Sequence, residues 1–128
     1  MSADGKSAQI VHQYSFAKSS RILKTAEFRQ VYDHGFRFTT RLFTAFCLAH
    51  VNRDSAIGPR FGFTVPRALG PAVRRNRIRR RVREAVRLVR GAIAPHWDIV
   101  INPRRSVFDA PVSALEAEVR ELVNRCKR

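Results

Sequence analysis

The sequence predicts an α/β domain, more narrowly an α+β two-layer sandwich. It is expected to have a small mixed sheet with helices on one face, in the order helix, strand, strand, helix, strand, helix. Three observations lead there. Residues 60–65 alternate between apolar and other side chains with the two-residue period of a strand. Residues 71–94 repeat their apolar positions at the helical period instead. Strand-like and helix-like stretches interleave along 128 residues, a length suited to one sheet with helices laid on it.

Residues 1–20 are polar and irregular and read as a flexible arm; residues 21–128 read as a single domain. Thr25 is placed as the N-cap of a short helix ending near Gly35. Phe28, Val31 and Tyr32 fall on one side of that helix. Residues 42–51 read as the first strand, with Phe43, Ala45 and Cys47 on one face and Leu42, Thr44, Phe46 and Leu48 on the other. Residues 52–59 are rich in turn formers. In the second strand, 60–65, Phe61, Phe63 and Val65 point to the core and Arg60, Gly62 and Thr64 point out. A sheet face carrying Gly62, Thr64, Thr44 and Phe46 has room for a flat ligand such as a base.

Gly70 and Pro71 open the long helix, with proline suited to its first turn, and Pro95 ends it. Its apolar stripe is Ile78, Val82, Ala85, Val86, Val89 and Ile93, and Asn76, Arg80, Arg83, Arg87 and Arg90 lie opposite. Glu84 is the internal ion-pair partner available to these cations. Residues 97–102 form a third strand whose unbroken Ile99-Val100-Ile101 run predicts burial on both faces. Ser113 and Glu116 predict a capping box for a last helix with Leu115, Val119, Leu122 and Val123 inside.

Charge narrows the function. The formal net charge is +15, and seven arginines fall within residues 74–83. Like charges oppose compaction, so an excess of this size points to a polyanion, whose condensed counterions are released as phosphates meet cations. Arginine, with its planar fork of donors, dominates; lysine occurs only at Lys6, Lys18, Lys24 and Lys127. A charged tail lacks a buried face, whereas this cluster rides on an amphipathic helix. A rigid, arginine-studded helix anchored to a core fits regularly placed phosphates, and RNA is the expected source. Backbone amides at the helix start can also meet a phosphate.

Other functions find little support. His12, His34, His50 and His96 are scattered, and no metal-ligand spacing, phosphate-binding loop, nucleophile elbow or dinucleotide fingerprint occurs. Glu116, Glu118 and Glu121 read as a solvated helix face. The polypeptide is expected to hold no catalytic residues and no metal of its own. No apolar stretch approaches eighteen residues, and residues 1–20 lack a signal-peptide core, so neither a membrane span nor a membrane partner is expected. Cys47 and Cys126 suggest a reducing, cytoplasmic setting, with a disulfide left open.

The stretch 60–84, with its core Gly70-x-Ala72-Val73-x-Arg75-Asn76-Arg77-Ile78, resembles the signature of the protein subunit of bacterial ribonuclease P. Residues 21–35 resemble that family's first helix, and Trp97-Asp98-Ile99-Val100-Ile101 its third strand. The resemblance implies a ribonucleoprotein that removes the 5′ leader of precursor tRNA. In that family the RNA subunit is the catalyst and uses Mg²⁺, while the protein binds the catalytic RNA and holds the leader. A left-handed βαβ crossover is implied as well, against the general rule. Carried over by position, Arg75, Asn76 and Arg77, continued by Arg79, Arg80 and Arg83, face the catalytic RNA. Phe28 and Tyr32 on the first helix, Thr44 and Phe46 on the first strand and Thr64 on the second line the leader cleft. Strand alternation independently puts Thr44, Phe46 and Thr64 on one open face. Pro66 and Ala68 depart from the family, which usually has a small hydroxyl residue and a lysine there, so the loop before Gly70 relies on Arg67 for charge.

Two other readings compete. A DNA-binding basic region would run on into heptads, but Pro95 and a strand follow. A ribosomal or general RNA-chaperone protein shares the charge and the open sheet and stands as the alternative. The expected partners are the catalytic RNA and precursor tRNA, with no obligate protein partner.

Overall fold

The computed structural model describes residues 25–50 and 58–126. The expected arm, residues 1–20, lies outside them. The elements are α1 (Thr25–His34), β1 (Phe36–Thr39), β2 (Phe43–Ala49), β3 (Arg60–Phe63), α2 (Ala72–Val89), β4 (Trp97–Pro103) and α3 (Val112–Arg125). The four strands form one mixed sheet in the order β1-β2-β4-β3. β1, β2 and β4 pair antiparallel, and β3 runs parallel to β4. The β3–α2–β4 segment is therefore a crossover within the sheet.

Side-chain alternation divides the sheet into two interiors. Phe43, Ala45, Cys47, Phe61, Ile99 and Ile101 point to the first, where Ile78, Val82, Ala85 and Val86 of α2 and Leu115, Val119 and Leu122 of α3 close the main core. The alternate residues point to the second face. There α1 lays Val31 on Val100, both fully buried, with Phe28, Tyr32, Phe46 and Leu48 packed around them. This corrects the expectation of helices on one face: α1 covers part of the opposite one. The apolar run of β4 thus serves two cores, as its double-sided burial predicts.

Other differences have local causes. β1 is absent from the sequence reading because it is four residues long and buries only Phe38. Gly35 precedes it, and a Cβ there would lie 2.7 Å from the carbonyl oxygens of both Cys47 and Val31. Glycine thus allows α1 to end directly against β2. Thr40 then shapes the turn into β2, its Oγ1 accepting from the amides of Leu42 and Phe43. The helix α2 ends at Val89, passing into a 3-10 turn at Arg90–Ala92 before Pro95. The capping box at Ser113 does not form, because Pro111 is the N-cap residue of α3 and Ser113 lies inside the first turn. Glu118 is more than a solvated residue: its Oε1 accepts the Leu42 amide at 2.9 Å, tying α3 to the strand side. Both cysteines are free and buried. A hydrogen bond with Cys126, together with burial, pushes the Cys47 thiol far above its ordinary range, which keeps it unreactive.

One buried carboxylate organises the second face. Asp98, 1% exposed, receives the Arg60 guanidinium as a two-pronged fork at 3.1 and 2.9 Å. His50 Nε2 lies 2.9 Å from the same carboxylate. Arg60 also reaches Glu27 of α1 at 3.0 Å. The outward-pointing Arg60 of the sequence reading is therefore an internal clamp linking β3, β4 and α1, not an open cation. Removing one member of a buried ion pair leaves the other uncompensated. Asp98→Ala is expected to destabilise the domain by about 3 kcal/mol, measured by urea denaturation, with Asp98→Asn milder.

Candidate nucleic-acid interface

The arginine run starts from a turn only glycine favours. Gly70 has φ +127°, which lets the chain swing from the 3-10 turn Arg67–Leu69 into α2. No side chain caps the start of α2, so its first-turn amides stay available to an anion. β3 ends at Phe63, ahead of Pro66, although the Thr64 amide still pairs with the Ile101 carbonyl at 3.0 Å.

The structure separates the arginines by task. Arg81 donates to the carbonyls of Val107, Phe108 and Ala110, fastening the segment before α3 onto α2. Arg74 and Arg77 sit 4.0 and 5.0 Å from the Phe108 ring centroid, a cation–π arrangement. Arg77 also donates from Nε to the Phe108 carbonyl. It is exposed, with Nε engaged and its two terminal nitrogens turned outward from that bond. Arg75 donates from Nε to the Gly70 carbonyl at 3.0 Å and is half-buried.

Asn76, Arg79, Arg80 and Arg83 come together, with Glu84, around a polar pocket of about 300 Å³. Asn76 Oδ1 accepts from Arg79 at 2.9 Å, fixing that guanidinium. Arg83 packs its guanidinium 5.7 Å from the Phe63 ring centroid. Arg80 is exposed. Arg87 binds Glu84 and holds its carboxyl below the usual range, so this acid is neutralised within the protein. Arg90, expected on the open side, is half-buried and donates toward the Pro59 carbonyl. The pocket thus presents several cations to one anion of phosphate size.

The second surface lies across the sheet. Phe28, Tyr32, Thr44, Phe46 and Thr64 are all half-buried on the face that α1 partly covers. Tyr32 and Phe46 meet edge to face at 4.8 Å. Tyr32 Oη lies 3.1 Å from Thr64 Oγ1 and 3.0 Å from Asn102 Oδ1. Asn102 faces Thr44 directly across the β2–β4 pair. Gly62, expected on the open floor, is buried instead. Sequence reasoning missed Asn102 and Asp98. Alternation through Ile99 and Ile101 would have placed both on the face of Thr44 and Phe46. Among the described residues no group of three or more His, Cys, Asp or Glu is placed to hold a metal ion, and no helix is long and apolar enough to cross a membrane.

The structure thus brings Asn76, Arg79, Arg80 and Arg83 together on α2, and Tyr32, Phe46, Thr64 and Asn102 together beside α1. The family model for ribonuclease P matches residues 16–127. The chain belongs to the ribonuclease P protein family. It is 34% identical over 115 residues to the ribonuclease P protein component of Desulfosudis oleivorans, covering 90% of this chain and 92% of that protein. With the protein component of Chloroflexus aggregans it shares 38% over 109 residues, covering 84% of this chain and 78% of the other. Among solved structures, the ribonuclease P protein of Staphylococcus aureus superposes with a TM-score of 0.71 at 27% identity, over 84% of this chain and 95% of that one. That of Thermotoga maritima also gives 0.71, at 25% identity over 84% and 98% of the two chains.

The division among the arginines is open to test. Arg80→Ala should lower the slope of log affinity against log salt by about one for ribonuclease P RNA, with stability retained. Arg81→Ala should leave that slope alone and cost about 2 kcal/mol of stability, because three carbonyls lose a charged donor.

Proposed function

We propose that this protein, as the protein component of a bacterial-type ribonuclease P, grips two RNAs on two surfaces during 5′ maturation of tRNA. The observation that supports this most is that α2, which carries the polar pocket, packs on one face of the sheet and α1, with its aromatic residues, on the other. On this reading Asn76, Arg79, Arg80 and Arg83, flanked by Arg75 and Arg77, neutralise phosphates of the catalytic RNA. Phe28, Tyr32 and Phe46, with Thr44 and Thr64, receive the unpaired leader of precursor tRNA. Stacking suits a single strand because every base has a π-face, and each such contact is worth about 1–3 kcal/mol.

Hydrolysis belongs to the catalytic RNA, with Mg²⁺ held by RNA and substrate. None of the protein's steps runs through that ion. The protein's part is to bind, to orient the leader, and to lower the repulsion between two polyanions in a cytoplasmic ribonucleoprotein. Each phosphate it meets releases counterions, so its benefit should be greatest where cations in solution are scarce.

Reconstitution tests this directly. Added to a bacterial ribonuclease P RNA at low Mg²⁺, the protein should bring about cleavage of precursor tRNA; alone it should cleave nothing. Phe46→Ala or Tyr32→Ala should raise KM for leader-bearing substrate by roughly tenfold, the loss of one stacking contact, with affinity for the catalytic RNA unchanged. Equal losses toward mature tRNA would contradict a leader cleft.

A further inference from the structure

The cleft contains a hydrogen-bond chain whose direction follows from counting protons. Tyr32 Oη donates to Asn102 Oδ1 at 3.0 Å. A phenol has one proton, so in the 3.1 Å contact with Thr64 Oγ1 the threonine hydroxyl donates and the tyrosine oxygen accepts. The chain runs from Thr64 through Tyr32 to Asn102. It ends on an amide whose oxygen is engaged and whose Nδ2 carries two N–H donors, with no hydrogen bond to Nδ2 among the described residues. Asn102 is half-buried, level with Thr44 and two pairs along from Phe46 and Val100, on the same face.

We propose that Asn102 is a specificity-determining residue of the leader cleft, donating from Nδ2 to the keto oxygen that uracil carries at C4 and guanine at C6, where cytosine and adenine carry an amino group, and so favouring uracil or guanine over adenine or cytosine in the nucleotide stacked there. The inference rests on the cleft reading above. An unencumbered asparagine amide matches adenine by donating to a ring nitrogen and accepting from the amino group. Tyr32 occupies the accepting half of this one. A base that turns an amino group toward Nδ2 sets donor against donor and strips water from an N–H that gains no partner. Such unpaired buried groups are what give polar sites their discrimination. Stacking on Phe46 tolerates any base. The Thr44 hydroxyl both donates and accepts, and the Thr64 proton is spent on Tyr32. The amide is therefore the directional reader among these side chains.

The test uses the reconstituted holoenzyme and precursor tRNAs in which each leader position carries each of the four bases in turn. With the wild-type protein, one position should show KM roughly tenfold lower for uracil or guanine than for adenine or cytosine, the scale of one directional base contact. Asn102→Ala should level that ranking. Asn102→Asp keeps an oxygen for Tyr32, removes both donors and adds a free acceptor, so the ranking should turn toward adenine and cytosine. Melting temperature and affinity for the catalytic RNA, read for both variants, should match wild type. A wild-type ranking that persists in both variants, or no ranking at any position, would overturn the role of Asn102 while leaving the cleft in place. Equal wild-type binding of leader-bearing and leaderless substrates would bring down the cleft reading, and this inference with it.

Discussion

The seating of α1 on the second face of β4 is the constraint on which the rest of the structure depends. β4 is buried on both sides: Ile99 and Ile101 enter the main core, while Asp98 and Val100 face α1. Val31 closes on Val100, and Glu27 reaches through Arg60 to Asp98. An apolar contact alone would let a short helix slide along the sheet. The Glu27–Arg60–Asp98 link fixes its position, because a buried fork of this kind tolerates little displacement. With α1 held, Tyr32 lies within hydrogen-bond reach of Thr64 and Asn102 and against Phe46. A buried ion pair is costly to form and costly to break; here it ties α1 to β3 and β4.

Across the sheet, a second economy operates in α2. Arginine is long, permanently charged and rich in donors, so one residue type serves two ends. Arg74, Arg77 and Arg81 turn toward Phe108 and the carbonyls at 107–110, where they hold the connection to α3. Arg79, Arg80 and Arg83 turn to the polar pocket with Asn76. Position around the helix decides which task falls to which residue. The structural arginines flank the face that meets the 3-10 turn Arg105–Phe108, and the pocket occupies the adjoining side. A net charge of +15 therefore overstates the surface offered to RNA, since part of it is spent inside the protein.

How much was legible in the sequence follows the same physics. The 3.6-residue stripe of α2 and the alternation of β2 and β3 come directly from burial, so Ile78, Val82, Val86, Phe43 and Phe61 lie where periodicity puts them. That Thr44, Phe46 and Thr64 share the opposite face was legible for the same reason. β1 was not, because four residues with one buried side chain give no period. The second layer was not, because a continuous apolar strand says it is covered on both sides without saying by what. The capping box at Ser113 matched by spacing but lost to Pro111. The roles of Arg77, Arg81 and Glu118 depend on carbonyls and amides supplied by remote segments, and local sequence carries no trace of those partners. Asn102 was within reach of alternation, hidden by its place at the end of an apolar run.

A single photochemical measurement bears most directly on the two-surface arrangement. Precursor tRNA with one photoreactive uridine at successive leader positions is crosslinked in the reconstituted holoenzyme, and the modified peptides are mapped by mass spectrometry. Adducts within α1, β2 and the outer end of β4, at or beside Tyr32, Phe46 and Asn102, are expected, with none on the Asn76–Arg80–Arg83 side of α2. Leader adducts confined to α2, with α1 and the second sheet face unmarked, would contradict it.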